Sequence, residues 1–160
     1  MALTHTPQQL SPTAIVIFGG TGDLAKTKLF PALLDLYVAG QLPERFGIIG
    51  LSRKELSDEE YQSFVRESIA SKSLQHEAST VLDFCSHIRY VSGSFDDGAA
   101  YERVKTALQD YDESIGQCTN KLFYLAVPPT YYEGIFEHLH TSNALALCDE
   151  AGSWARLLVK

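Results

Sequence analysis

The stretch at positions 15–26 is I-V-I-F-G-G-T-G-D-L-A-K, an apolar run that breaks directly into glycines. The apolar residues Ile15–Phe18 predict a fully buried strand, because the run is too short to form a helix of its own. Gly20, Gly22 and Ala25 then follow the G-x-G-x-x-G/A spacing of a dinucleotide-binding turn. Leucines recur at helical spacing after the turn, so the pattern predicts the strand, turn and helix that such a site requires.

The small residues of the turn have separate physical roles in this interpretation. We expect Gly20 to permit the tight turn, Gly22 to let the backbone approach a pyrophosphate, and Ala25 to keep the helix close to its strand. The free backbone N–H groups and the dipole at the helix start are expected to hold the diphosphate. Pro31 lies inside this helix, where it removes a hydrogen bond, so we predict a bend near Phe30-Pro31.

The composition is typical of a cytoplasmic α/β protein. The chain has 160 residues, enough for one domain with a buried core, and its formal net charge of −7 argues against nucleic acid or an anionic membrane as partner. Cys85, Cys118 and Cys148 lack metal-ligand spacing, so we expect no bound metal and unpaired thiols in a reducing compartment. Residues 1–13 lack the pattern of a signal peptide and are interpreted as a mobile arm before a domain at 14–160.

Strands and helices alternate along the rest of the chain. Ser57 and Glu60 have the spacing of a capping box, which predicts the start of a helix that runs to about Lys72. The other predicted strands are Phe46–Leu51, Ile88–Val91, Lys121–Val127 and Ala155–Val159, and the other predicted helices are Gln75–Cys85, Ala99–Tyr111 and Tyr131–His140. Strands separated by helices imply right-handed crossovers, so the sequence predicts an α/β fold with a doubly wound parallel sheet, a Rossmann-like dinucleotide-binding domain.

The residues after the second predicted strand indicate which dinucleotide is bound. Proteins that bind NAD usually place an Asp or Glu here, which accepts a hydrogen bond from the ribose 2′-hydroxyl. In this chain the segment at 50–54 is G-L-S-R-K, and no acidic residue precedes Glu55. A guanidinium pairs with a phosphate in bidentate fashion, so Arg53 favours the 2′-phosphate of NADP. The alternative is that Arg53 and Lys54 are solvated loop charges.

Two long motifs give the chain a specific resemblance. The stretch at 19–31, G-G-T-G-D-L-A-K-T-K-L-F-P, and the stretch at 120–132, N-K-L-F-Y-L-A-V-P-P-T-Y-Y, are similar to two signatures of the glucose-6-phosphate dehydrogenase family. Segments 50–53 and 93–97 also fall where related segments are expected, and the resemblance covers nearly all residues from Ile15 to Lys160. It implies a coenzyme domain of the predicted fold, followed in the family by a larger α+β substrate domain.

The resemblance also implies an activity for the full enzyme. That activity is the NADP-dependent oxidation of glucose 6-phosphate to 6-phosphogluconolactone in the oxidative pentose phosphate pathway, with a homo-oligomer formed through the substrate domain. This domain and the motif that carries the family's catalytic histidine have no match here, so we expect no catalytic residue in this segment. Lys160 is either the family's substrate-binding lysine after a one-residue change or an unrelated residue. No catalytic role is assigned to His5, His76, His87, His138 or His140.

The predicted coenzyme site combines the turn with residues that follow later strands. Thr21 and Asp23 can bond phosphate oxygens or cap the helix, and Lys26 either neutralises phosphate charge or is solvated. By resemblance, Tyr132 lies at the coenzyme, and Lys28 reaches toward bound substrate and nicotinamide. The predicted coenzyme-binding residues are Gly19, Gly20, Thr21, Gly22, Asp23, Leu24, Ala25, Lys26, Arg53 and Tyr132.

The sequence leaves two other functions open. One is a stand-alone NADP-binding regulatory module without catalytic activity, which would act through a partner protein. The other is a Rossmann enzyme of a different family, such as a reductase with a G-G-T-G turn. The length of the natural reading frame would discriminate the regulatory module from the coenzyme portion of a larger dehydrogenase.

Overall fold

Five parallel strands form the sheet of this protein in the computed structural model, which describes residues 10–146 and 152–159. The strand order is β3-β2-β1-β4-β5, so the chain winds outward on one side of β1 and then on the other. The predicted α/β doubly wound sheet is therefore confirmed. The strands are β1 (Thr13–Phe18), β2 (Phe46–Ser52), β3 (Ile88–Ser92), β4 (Asn120–Leu125) and β5 (Ala155–Val159).

Helices cover both faces of the sheet. They are α1 (Phe30–Val38), α2 (Asp58–Ser68), α3 (Ala70–Ser73), α4 (Ala78–Ser86), α5 (Gly98–Ile115) and α6 (Tyr132–Thr141). The side chains of β1 alternate between two core clusters, with Ile15 and Ile17 in the cluster that includes α1, α2 and α4. Val16 and Phe18 belong to the opposite cluster with α5 and α6. Both faces of β1 are buried, which explains why its sequence is a continuous apolar run.

The predicted elements are present, and the differences lie at their ends. The helix that starts at Ser57 stops at Ser68 because Ile69 leaves the helical region (φ −105°, ψ 9°), and the short helix α3 follows. Helix α5 continues beyond its predicted end to Ile115 and stops at Gly116, which has the left-handed φ of 80° that favours glycine at a helix C-terminus. Strand β4 ends at Leu125 rather than at Val127.

The conflict between Pro31 and its helix is resolved by a change of hydrogen bonding. Residues Ala25–Leu29 form a single π-helical turn, and the N–H of Phe30 donates to the carbonyl of Ala25, five residues back. Pro31 follows in the first turn of α1, so its missing N–H falls at the change of bonding pattern rather than inside a regular α-helix. The helical stretch therefore continues through the proline by changing from π- to α-helical bonding.

The cysteine prediction is wrong for one residue. Cys118 is disulfide-bonded, whereas Cys85 is free and buried, and burial raises the pKa of the Cys85 thiol to about 11. The predictions for Cys148, Lys160, His5 and most of the N-terminal arm fall outside the described residues, although Thr13, the last residue of that arm, is buried in β1. In the described part of the chain, no helix is both long and apolar enough to cross a membrane.

Candidate functional site

The glycine turn lies at the carboxyl ends of β1 and β4, where the winding direction of the sheet reverses. Gly19 has a φ of +83°, and a Cβ placed on it would lie 2.5 Å from the carbonyl oxygen of Ala126. Gly19 therefore makes the tight turn that the sequence analysis assigned to Gly20. A Cβ on Gly20 would instead collide with the Tyr61 hydroxyl at 2.5 Å, so Gly20 is required for close packing from behind the turn.

The backbone N–H groups of the turn divide into two sets. Gly19 and Gly20 donate to the carbonyl oxygen of Leu51 at 2.9 and 3.1 Å, which ties the turn to the end of β2. Gly22 donates to the carbonyl oxygen of Gly19 at 2.9 Å, whereas the N–H groups of Thr21, Asp23, Leu24 and Ala25 have no acceptor in residues 10–146 or 152–159. These unpaired donors at a helix N-terminus are suited to bind an anion, so the helix start rather than the glycines offers a place for phosphate.

A groove of about 600 Å³ opens beside this helix start. Its lining includes Asp23 and Leu24 from the turn together with Tyr132, the first residue of α6. A Cβ on Gly22 would meet one atom within 4 Å, the carbonyl oxygen of Gly19 at 3.2 Å, which is a tight contact on one side only. The remaining lining residues are Ala126, Val127, Pro128 and Pro129 from the segment that follows β4. The structure thus brings the two long sequence motifs together at one groove.

Hydroxyl groups connect the turn to the loop that follows β2. The Oγ1 of Thr21 lies 2.8 Å from the Oγ of Ser52, which lies 3.0 Å from the hydroxyl of Tyr90 on β3. The Tyr90 hydroxyl is also 3.0 Å from the carbonyl oxygen of Ser52 and 2.6 Å from that of Lys54. Both neighbours of Arg53 are therefore anchored, and the loop is held next to the glycine turn.

The predicted cationic residues are exposed on this side of the molecule. Arg53 follows β2, and its side chain makes no ion pair or hydrogen bond in the part of the chain that the structure describes. Lys26 and Lys28 are exposed on the π-helical turn. Neither lysine lines the groove. The guanidinium of Arg53 is thus available to an anionic ligand at the carboxyl edge of the sheet.

Asp97, Tyr131 and His138 have structural roles. Asp97 accepts a hydrogen bond from the N–H of Ala99 and caps α5, and the ring of Tyr131 packs edge-on against Phe95 at 5.5 Å. His138 stacks on the ring of Tyr101 at 4.9 Å. The stacking of the half-buried His138 on the buried Tyr101 agrees with a packing role rather than a catalytic one.

The spacing of Tyr101 and Lys105 matches the Tyr-x-x-x-Lys pair of some Rossmann reductases. Tyr101 is fully buried, however, and its hydroxyl donates to the carbonyl oxygen of Phe95 at 2.8 Å. Burial also raises the pKa of Tyr101 above its ordinary value, which makes it a poorer proton donor. Its environment therefore gives no support to the reductase interpretation.

Sequence reasoning missed the tyrosines that support the site from behind. The buried hydroxyl of Tyr61, on α2, donates to the carbonyl oxygen of Gly20 at 2.9 Å, and the Tyr61 ring lies 4.6 Å from that of Tyr90. The Tyr61 side chain passes directly over Gly50, where a Cβ would overlap its phenol ring. The available signal was Gly50 itself, because a glycine inside an apolar strand often marks a close approach by another group.

Comparisons with known proteins agree with this geometry. A family model described as "Glucose-6-phosphate dehydrogenase, NAD binding domain" matches residues 16–160. A glucose-6-phosphate 1-dehydrogenase of Chlamydia pneumoniae is 32% identical over 158 residues, which cover 98% of this chain and 31% of that protein. The relative "Glucose-6-phosphate 1-dehydrogenase 6, cytoplasmic" of Arabidopsis thaliana is 32% identical over 151 residues, 92% of this chain and 29% of its own length.

A solved structure of glucose-6-phosphate dehydrogenase in complex with its substrate glucose-6-phosphate superposes with a TM-score of 0.76. The sequence identity is 30%, and the match covers 92% of this chain and 29% of that one. The chain therefore spans about a third of the length of the relatives it matches.

Proposed function

We propose that this chain, which belongs to the glucose-6-phosphate dehydrogenase family, is the coenzyme-binding portion of an NADP-dependent dehydrogenase. The observation that carries the proposal is the meeting of the two family motifs at one groove, beside a helix start with unpaired N–H groups. The solved relative in complex with glucose 6-phosphate supports the same sugar phosphate as the substrate of the whole enzyme.

The groove and the turn fit a dinucleotide. The N–H groups of Asp23, Leu24 and Ala25 would bind the diphosphate, and Gly22, which has no side chain, would let it approach the backbone. Tyr132 would contact the coenzyme from α6, and Lys28 would lie toward the substrate and the nicotinamide. The nicotinamide supplies the hydride acceptor, and the protein holds it against C1 of the sugar.

The preference for NADP rests on Arg53. Its guanidinium is exposed at the end of β2 with no partner in the described residues, and no carboxylate occupies the place where an NAD-binding protein needs one. A guanidinium binds a phosphate with paired hydrogen bonds, which a ribose hydroxyl cannot match. Arg53 therefore selects the 2′-phosphate of NADP.

The rest of the reaction belongs to the part of the family fold that this chain does not match. A base there would remove the proton of the C1 hydroxyl while hydride leaves C1, which yields the lactone. We also propose a cytoplasmic location, with no membrane or nucleic acid as partner. Homo-oligomerisation would occur through the part of the family fold that this chain does not match. The name of the Arabidopsis thaliana relative includes the word cytoplasmic, which supports this location.

The Arg53→Ala variant tests the coenzyme preference. Loss of a bidentate phosphate contact should weaken NADP⁺ binding by about 1.5–3 kcal/mol, or roughly 10- to 150-fold, and leave NAD⁺ binding unchanged. Isothermal titration calorimetry of the chain with each coenzyme gives the two values of Kd. Arg45→Ala is the control, because Arg45 is also exposed but precedes β2 at the opposite edge of the sheet, where its guanidinium donates to the Ile115 carbonyl. Equal affinities of the parent chain for the two coenzymes would contradict the role of Arg53.

A further inference from the structure

We propose that Tyr90 is a positioning residue for coenzyme selectivity, because its hydroxyl fixes the backbone on both sides of Arg53. This inference rests on the proposed function, in which Arg53 binds the 2′-phosphate of NADP. Tyr90 lies on β3, and the loop that it contacts follows β2, so the contact joins two neighbouring strand ends. No sequence motif of the coenzyme site includes this tyrosine.

The contacts of Tyr90 converge on the two neighbours of Arg53. Its hydroxyl lies 2.6 Å from the carbonyl oxygen of Lys54 and 3.0 Å from that of Ser52. The Ser52 carbonyl also accepts the N–H of Gly93 at 2.9 Å, which extends the pairing of β2 with β3 by one bond. Arg53 is thus the exposed residue between two anchored peptide groups, and its backbone direction is set by the tyrosine.

A count of hydrogens gives this network one consistent direction. A phenol has one hydrogen to donate and a carbonyl oxygen only accepts, so the carbonyls of Lys54 and Ser52 share the Tyr90 hydrogen, and the closer Lys54 oxygen is its main acceptor. The Ser52 hydroxyl then donates to the Tyr90 oxygen, and the Thr21 hydroxyl donates to Ser52. The hydroxyls of Thr21, Ser52 and Tyr90 are all hydrogen-bonded in this direction, and they link the Arg53 loop to the glycine turn.

The environment of Tyr90 keeps the phenol in the donating form. Burial raises the pKa of Tyr90 above its ordinary value of 10.0, although the hydrogen bond with Ser52 acts in the opposite direction. The ring is also held by its contact with the buried Tyr61, 4.6 Å away between centroids. At neutral pH the hydroxyl therefore remains a rigidly placed donor, as a positioning role requires.

The position of Arg53 matters more for NADP than for NAD. A bidentate contact with a phosphate needs a fixed guanidinium plane, whereas NAD has no group for Arg53 to bind. Loss of the Tyr90 hydroxyl lets the loop move and costs entropy when the 2′-phosphate is bound. The diphosphate contacts at Asp23–Ala25 are on another segment, so the affinity for NAD should stay the same.

The test uses the full chain and the variants Tyr90→Phe, Arg53→Ala and the double variant. The measured quantity is the ratio of Kd for NAD⁺ to Kd for NADP⁺ by calorimetry, with urea unfolding to compare stabilities. We expect Tyr90→Phe to lower the ratio about three- to tenfold, the range of one lost positioning hydrogen bond, through NADP⁺ alone. In the Arg53→Ala background the same substitution should leave the ratio unchanged, because Tyr90 acts through Arg53.

Tyr101→Phe is the matched control. It removes a tyrosine hydroxyl that likewise donates to a backbone carbonyl, but that bond lies between α5 and Phe95 and should not move the ratio. If Arg53→Ala lowers the ratio and Tyr90→Phe does not, the inference about Tyr90 is overturned and the proposed function stands. Equal weakening of both coenzymes by Tyr90→Phe assigns the tyrosine a structural role only. If the parent chain binds NAD⁺ and NADP⁺ with the same Kd, or binds neither coenzyme, both proposals are overturned.

Discussion

The glycines of the turn are required for different physical reasons. Gly19 adopts a φ of +83° and its Cα faces the Ala126 carbonyl, so its conformation and its surroundings both exclude a side chain. Gly20 and Gly50 make room for the phenol of Tyr61, which bonds the turn from behind. A Cβ on Gly22 would meet one atom, the Gly19 carbonyl oxygen at 3.2 Å, so this glycine is much less enclosed than the other three, which suits a position approached by a ligand. One motif therefore combines requirements of the fold with a requirement of binding.

Substitutions at Gly22 and Gly19 should separate binding from folding. Gly22→Val should abolish coenzyme binding and largely preserve the fold, since the branched side chain occupies the space proposed for the diphosphate. Gly19→Ala should destabilise the chain by more than about 1 kcal/mol, because alanine is strained at this φ and clashes with a carbonyl. Far-ultraviolet circular dichroism, urea unfolding and calorimetry with NADP⁺ measure both effects. Normal NADP⁺ binding by a folded Gly22→Val variant would show that the phosphates lie elsewhere.

At the scale of elements, buried tyrosines attach two helices to the strand ends. Tyr61 of α2 donates to the Gly20 carbonyl, and Tyr101 of α5 donates to the Phe95 carbonyl, which follows β3. Both residues are fully buried, and burial is the main cause that raises the pKa of each above its ordinary value of 10.0. Helix packing in this fold therefore depends on phenols that remain protonated.

This burial predicts a loss of stability at high pH. Below about pH 10 both phenols are protonated in the folded and unfolded states, so their contribution to the free energy of unfolding is fully present. Above pH 10 the unfolded chain releases these protons first, and the free energy of unfolding should fall by about 1.4 kcal/mol per pH unit for each tyrosine. Urea unfolding at pH 8, 10 and 11 measures the slope.

The control for the pH experiment is the double variant Tyr61→Phe and Tyr101→Phe, which should have a shallower slope than the parent chain. Tyrosinate absorbance reports ionisation directly, and the two buried phenols should titrate only as the protein unfolds. If all tyrosines of the folded chain ionised near pH 10 without loss of stability, the assignment of these two hydroxyls as buried donors would be wrong.

At the scale of the whole molecule, the sheet has an apolar edge at β5. Leu157, Leu158 and Val159 are between 41% and 48% exposed, although they lie on a strand paired with β4 in a parallel sheet. Parallel strands are usually covered on both faces, so this exposure differs from the pattern of β1. The relatives are about three times as long as this chain.

The chain by itself should produce no NADPH from glucose 6-phosphate and NADP⁺. It carries the coenzyme half of the proposed site, and without a positioned base the reaction lacks a contribution of roughly 10²- to 10⁴-fold as well as substrate positioning. The measurement is absorbance of NADPH with purified chain at high concentration, with a full-length relative as the positive control. Turnover that persists after removal of host dehydrogenase would mean that a residue of this chain acts as the base.

The sequence by itself determined the elements, the parallel sheet and the glycine turn. These follow from local patterns: the apolar run Ile15–Phe18, the glycine spacing and the capping box at Ser57, whose two hydrogen bonds to Glu60 the structure contains. The positions of Arg53 and Tyr132 near the turn were also predictable, because parallel strands end at the same edge of a sheet.

Only the tertiary structure decided which groups support the glycine turn and the loop after β2 at the carboxyl edge of the sheet. The tight turn at Gly19 depends on the approach of Ala126, and the Gly20 position depends on Tyr61, which is far away in the sequence. The link from Thr21 through Ser52 to Tyr90 joins three strand ends by hydroxyl contacts. Local sequence patterns carry no record of such contacts, because their partners are brought together only when the sheet has formed and the helices have packed on it.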